Sequence, residues 1–188
     1  LQAVQDRLTM AIKGNRTDGG ALMSRERFIS DMRRIAQDEG IATGEENLTD
    51  IASVPRLGLI YDMQVQQAEG YAAWKMDQGR DELYLWPCWE LVREDDRETP
   101  RGEKRVKGEV VADPANSWKA RWEAAGGTLY GGRMIARKDS DVWQNLGNGV
   151  GGWEDTLGNP YPPFAFSSGM GVENVDREEA IALGVMAD

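Results

Sequence analysis

Apolar residues recur with a helical period three times in the first half of the chain. Leu1, Val4, Leu8, Ala11 and Ile12 form the first stripe, which the GNRTDGG stretch from Gly14 to Gly20 ends in a loop. A second helix is predicted from Ser24. That residue can cap the stripe Phe28, Ile29, Met32, Ile35 and Ala36, and Gly40 supplies the C-terminal stop. A polar connection from Thr43 to Asp50 leads into a third helix, from about Ser53 to Gln78, with Leu57, Ile60, Tyr61, Gln64, Ala68 and Tyr71 along one side. Gly70 and the small residues near it predict a close helix contact.

The second half changes character. LYLWPCWELVR, Leu83 to Arg93, is rich in aromatic and branched residues and reads as strand, with Pro87 marking an edge or a break between two short strands. Cys88 within it is expected to be a buried thiol. From Arg93 to Lys107 the chain is almost wholly charged, and Val106 to Val111 alternates weakly as a returning strand; the whole predicts an exposed hairpin-like excursion. Asp113 and Pro114 open a short helix in which Trp118 and Trp122 share a face, and Gly126 with Gly127 stops it. The region from Gly126 to Gly171 holds 11 of the 22 glycines together with Pro160, Pro162 and Pro163, so loops around a strand at Met134 to Ala136 are predicted there. In the ribbon Tyr161, Pro162, Pro163, Phe164 and Phe166, both phenylalanines are expected to be buried. Asp176 with Glu179 starts a last helix that Gly184 ends.

The predicted fold class is therefore α+β. N-terminal helices pack on a small, mostly antiparallel sheet, followed by a long Gly/Pro-rich loop region and a short C-terminal helix. Residues 1–23 are expected to be a helical appendage or linker from a missing N-terminal part, and residues 24–188 one α+β domain. Leu1 in the place of an initiator Met points the same way, to a fragment or a processed product.

Charge narrows the function classes. The 22 Lys and Arg residues face 32 Asp and Glu, a net charge of −10 that repels nucleic acid and anionic membrane at long range. Any phosphate contact must then be local, and Arg97, Arg101, Lys104, Arg105 and Lys107 are the candidate nucleic-acid-binding patch, weighed against a solvated loop. No apolar run approaches the length of a membrane span, so no membrane partner is expected. The absence of His removes the commonest general base and metal ligand, and one Cys permits neither a disulfide nor a multi-cysteine zinc site. No catalytic residues, metal or cofactor are expected. Gly147, Gly149 and Gly152 match a G-x-G-x-x-G spacing, but no strand leads in and Trp153, Glu154 and Asp155 follow, so this reads as a loop. The acidic groups Glu94, Asp95, Asp96 and Asp139, Asp141 read as solvated faces before magnesium ligands. Trp118, Trp122, Trp143 and Trp153 read as core before a base-stacking platform.

The order of short motifs resembles the C-terminal region of the F-like head morphogenesis proteins of Mu-type phages, over about residues 25 to 184. A helix with Phe28 ends in Glu39-Gly40. After a polar loop come Arg56-Leu57, Ile60, Tyr61-Asp62-Met63-Gln64 and Gly70. Trp89-Glu90 precedes Asp96-Arg97-Glu98-Thr99-Pro100-Arg101, and then follow Asp141-Val142-Trp143, Pro162-Pro163 and Phe166-Ser167-Ser168-Gly169-Met170. Asp62 stands where the family usually has Asn, Gly169-Met170-Gly171 replaces its Cys-bearing turn, and its His has no counterpart. The resemblance implies a minor head protein, a virion structural component acting in capsid assembly or DNA packaging near the portal. Its partners would be the portal and other head proteins, with packaged DNA reached through the basic patch. It would be made in the bacterial host cytoplasm and located in the virion. Two alternatives of other classes are an ADP-ribosyltransferase-like effector, which needs a pocket with a convergent Arg and Glu, and a DNA-contacting module using residues 97–107.

Overall fold

The computed structural model describes residues 23–40, 47–95 and 101–187, together with Asp6. It is an α+β structure with helices first, a small antiparallel sheet and a short C-terminal helix. Contacts divide the chain into two compact units, Leu1–Glu69 and Gly70–Asp188, a different division from the expected one at residues 23 and 24. The helix predicted at the extreme N-terminus lies outside the described residues, as do residues 43–46 of the polar connection.

In the first unit, α1 (Arg25–Asp38) starts where Ser24 Oγ accepts from Arg27 N at 3.3 Å, and it ends before Gly40, whose φ of 69° suits glycine. Its buried stripe, Phe28, Ile29 and Met32, meets Met23 and Leu57. Tyr61 lies with its ring 5.6 Å from that of Phe28, and its hydroxyl donates to Met23 O at 2.7 Å, so one side chain both fills and ties this small core. α2 (Val54–Asp77) follows a turn organised by Asn47, whose side chain accepts from Thr49 N, and Ser53 Oγ caps it by accepting from Arg56 N at 3.2 Å. These boundaries match the predicted helices closely.

The second unit takes in α2 from Gly70 onward. A Cβ on Gly70 would stand 1.8 Å from Pro162 O, so only glycine lets the helix approach the Pro162–Pro163 segment this closely. Trp74 then meets Tyr161, with ring centroids 5.5 Å apart.

The predicted strand from Leu83 to Arg93 is corrected at its start. Arg80–Leu85 is a short helix, α3, and only β1 (Cys88–Arg93) is strand. Asp81 and Glu82 in the first turn favour the helix, and Leu83 to Leu85 do not enter the core that would have rewarded strand pairing. The returning strand predicted over Val106 to Val111 is also corrected. Lys107 (φ 51°) and Gly108 (φ 90°) form a two-residue turn inside it, between β2 (Glu103–Val106) and β3 (Glu109–Ala112), which pair with each other. The excursion is thus itself a hairpin.

Pro114–Asn116 forms a 3₁₀ turn. The helix predicted from Asp113 begins later, as α4 (Trp118–Ala124), because Ser117 Oγ takes the cap by accepting from Ala120 N at 3.1 Å. β4 (Leu129–Tyr130) and β5 (Arg133–Arg137) form a hairpin around the predicted strand. Two elements stand where loops were predicted: α5 (Asp141–Gly147), capped by Ser140, and β6 (Met170–Val175). Asp176 caps α6 (Arg177–Ala182) by accepting from Glu179 N at 2.8 Å.

The sheet order is β4-β5-β1-β6, antiparallel throughout, with Trp89 opposite Ala136 and Asn174. One face carries Trp89, Leu91, Met134, Ala136, Met170 and Val172 against α4 and α5. Trp143 is at its centre, with ring centroids 5.5 Å from Trp89, 5.2 Å from Trp122 and 5.7 Å from Phe164. Each of these indoles has its N–H satisfied: Trp143 donates to Arg137 O, Trp122 to Thr128 O and Trp89 to Asp77 Oδ2. The other face buries Cys88, Ile135 and Val175 against Ala180 of α6. Phe164 is fully buried as expected, but Phe166 is 41% exposed, a correction. Its main chain is what the fold holds: Phe166 N donates to Asp155 O, its carbonyl accepts from Arg101, and Ser167 at φ 47° turns the chain away. No helix among the described residues is long and apolar enough to cross a membrane.

Candidate functional site

The basic residues singled out from the sequence separate into two groups. Arg97 lies outside the described residues. Lys104, Arg105 and Lys107 are exposed on β2 and its turn, with Lys104 Nζ 3.6 Å from Asp113 Oδ1. Arg101 is a correction: its side chain is only 7% exposed and turns inward to Asp155, so it does not belong to a solvent-facing patch. The cause is electrostatic, since Asp155 offers a carboxylate where the hairpin leaves the body of the unit.

Around that carboxylate a polar node is assembled from four distant parts of the chain. Arg101 Nε donates to Asp155 Oδ2 at 3.0 Å, and its Nη2 donates to the same oxygen and to Phe166 O. Arg121, on the inner side of α4 and 4% exposed, donates from Nη1 to Asp155 Oδ1 at 2.7 Å and from Nη2 to Asn116 Oδ1 at 3.1 Å. The Trp118 ring stacks with both guanidiniums, at 5.3 Å from Arg101 and 5.1 Å from Arg121, and Trp153 lies 5.2 Å from Arg121. Burial alone would push the Asp155 carboxyl up, but the hydrogen bonds from Arg121 and Arg101 outweigh it and hold it below the ordinary value. Burial acts oppositely on Arg121, lowering its pKa against the Asp155 hydrogen bond. Trp118 is legible in the sequence as core, whereas Asp155 reads only as part of a glycine-rich loop. Its spacing from Arg101 and Arg121 carries no local signal.

Two further polar clusters lie in the same unit. Arg133 donates to Glu90 Oε2 at 2.9 Å from Nε and to Glu179 Oε1 at 2.5 Å from Nη1, joining β5 to β1 and α6. Arg133 and the two glutamates are thus bound to one another as a cross-link. Lys138 Nζ is buried 3.3 Å from Asp77 Oδ2 and 5.6 Å from the Trp89 ring. Asp139, expected in a solvated acidic face, is held by Arg137, whose hydrogen bond is the main cause of its lowered pKa. Asp96 is outside the described residues, while Glu94 N and Asp95 N both donate to Gly169 O. Among the described residues no group of three His, Cys, Asp or Glu side chains is gathered as a metal site.

Compared with protein-family models, with curated proteins and with solved structures, the chain finds no match.

Proposed function

We propose that the chain is a structural component of a phage or prophage virion, a minor head protein of the Mu F-like kind acting in capsid assembly or DNA packaging near the portal. The observation that carries this reading is where the resembling motifs lie in the fold. Trp89, Trp143 and Pro162-Pro163 are scattered over more than seventy positions, yet Trp143 packs on both Trp89 and Phe164, the residue after the proline pair. Met170, at the end of the last motif, begins β6 and enters the same core. These later motifs therefore meet in one core, which supports reading them as positions of a shared fold.

A docking role draws support from the surface beside that framework. Tyr84, Leu85 and Trp86 are exposed in succession, Tyr84 to 64%, at the end of α3, and Met76 is exposed near the end of α2. Consecutive exposed apolar side chains such as Tyr84 to Trp86 suit a surface that other proteins cover. The test is deletion of the gene from the phage or prophage that carries it. Under this reading, particles accumulate with defective or unfilled heads while tails form normally. Wild-type yields of infectious, DNA-filled particles would overturn it.

A second reading rests on Lys104, Arg105 and Lys107, which the β2–β3 hairpin displays together on a chain that is otherwise acidic. A duplex-DNA contact through this tip would weaken with rising salt, with a slope that falls when Arg105 and Lys107 are changed to Gln. Gel shifts at graded salt decide it.

A further inference from the structure

The β2–β3 hairpin is a sheet of its own, and all its strand residues are exposed except the half-buried Val111. A two-stranded ribbon is at best marginally stable in water, and each open edge is a row of N–H and C=O groups that another strand can complete. Ladder bonds alternate from the turn. Val106 and Glu109 flank the two-residue turn and face each other with their main chains, as do Lys104 and Val111, and Asp113 N donating to Gly102 O continues the series. The main-chain groups of Val110 and Ala112 are therefore left pointing outward from β3. The two edges differ in protection. β2 carries Lys104 and Arg105 in its middle, the kind of charge that guards an edge, whereas the middle of β3 is Val110 and Val111, two β-branched residues without charge, with Val110 49% exposed.

We infer that β3 is a dimerisation edge, on which two copies of this chain pair β3 with β3 antiparallel into one four-stranded sheet. In a symmetric antiparallel pair the two-fold passes between one residue and its own copy, so the possible registers are few. Centred on Val110, the outward main-chain groups of the two copies meet as a hydrogen-bonded pair. Glu109 then lies opposite Val111 of the other copy, and Lys107 at the turn lies opposite its Asp113, an opposite charge. Centring on Val111 instead sets Glu109 against Asp113, and pairing β2 with β2 sets Lys104 or Arg105 against itself. Charge thus selects both the strand and the register. Duplex DNA could meet the cations of the tip, but it has no main-chain ladder to offer the open edge.

The test is sedimentation equilibrium of the full chain from roughly 10 μM to 1 mM, a range suited to a small interface. The mass should rise with concentration from 20.9 kDa towards twice that value. Val110→Lys sets two ammonium groups opposite each other and should weaken the dimer about tenfold. Val110→Cys should form an intermolecular disulfide under mild oxidation, since paired residues of this kind stand about 5.5 Å apart between Cα atoms, within the range a disulfide spans. Arg105→Cys, on the same face of the ribbon but on the outer strand, should cross-link far more slowly. A mass of one chain throughout the range, a dimer that Val110→Lys leaves unchanged, or equal cross-linking of the two cysteine variants would overturn the inference. So would a ribbon that shifts duplex DNA while the chain stays monomeric.

Discussion

Cys88 shows how far a single residue's behaviour follows from its surroundings. It is fully buried between Val175 and Arg137 on neighbouring strands, and burial pushes its thiol up to about 11. Since the thiolate is the reactive form, Cys88 should resist iodoacetamide at neutral pH in the folded protein and react at the rate of a free thiol in guanidinium chloride. Mass spectrometry of the alkylated protein checks both. The two phenylalanines of the proline ribbon should now part company. Phe164→Ala empties a site against Trp143 and is expected to cost about 3–5 kcal/mol, while Phe166→Ala removes a partly exposed ring and should cost about 1 kcal/mol or less. Denaturant melts of the pair would show whether main chain or ring anchors this segment. Asp155 carries a pH signature. Its carboxyl is depressed in the folded state, so its contribution is present above the unfolded value near about 3.9 and is lost as the pH falls through the lower folded value. Asp155→Asn should therefore lower Tm at pH 7, and the difference from the parent should shrink below about pH 4.

At the scale of elements, glycine positions separate close packing from mere turns. Gly70→Ala drives a methyl group onto Pro162 O, a backbone atom that cannot move without dragging the ribbon, and should cost about 1–3 kcal/mol. Gly58→Ala meets only the far end of the Arg25 side chain, which can swing away at the expense of its ion pair with Asp62, so its effect on stability should be smaller. Comparing the two variants by chemical denaturation tests this. The same contrast explains what the sequence made legible. α1, α2 and α6 are legible because a side-chain cap starts each, with an apolar period along α1 and α2 and a glycine stop after α1 and α6. α3 reads as strand from Leu83, Tyr84 and Leu85, whereas Asp81 and Glu82 in its first turn and the lack of burial at Tyr84 and Leu85 favour helix. α5 lies inside the glycine-rich region, where loops are expected, and β6 begins there and runs on past Gly171. Seven residues of α5 span too few turns to show a period, and MGVENV owes its strand state to its register with β1, which no local pattern announces.

At the scale of the molecule, the candidate sites divide by the same rule. The exposed hairpin residues Lys104, Arg105 and Lys107 are legible as a run of like charge, because charge runs usually lie in water. Arg101 belongs to the same run and was placed with it, yet Asp155, fifty-four positions away, withdraws it into the interior. Long-range pairing of this kind is invisible to sequence periodicity, and the Arg121 and Trp118 side chains that complete the node were legible only as one face of a helix. Among the described residues, the second unit exposes a basic hairpin tip and an apolar step at Tyr84 to Trp86, while Trp89, Trp122 and Trp143 fill its core. In the function proposed above, this surface serves assembly inside a phage head. Quantitative mass spectrometry of gradient-purified virions tests it most directly. The proposed function predicts that the chain is present in the head fraction at a few copies per particle and stays with heads separated from tails, whereas its absence from purified virions would refute that function.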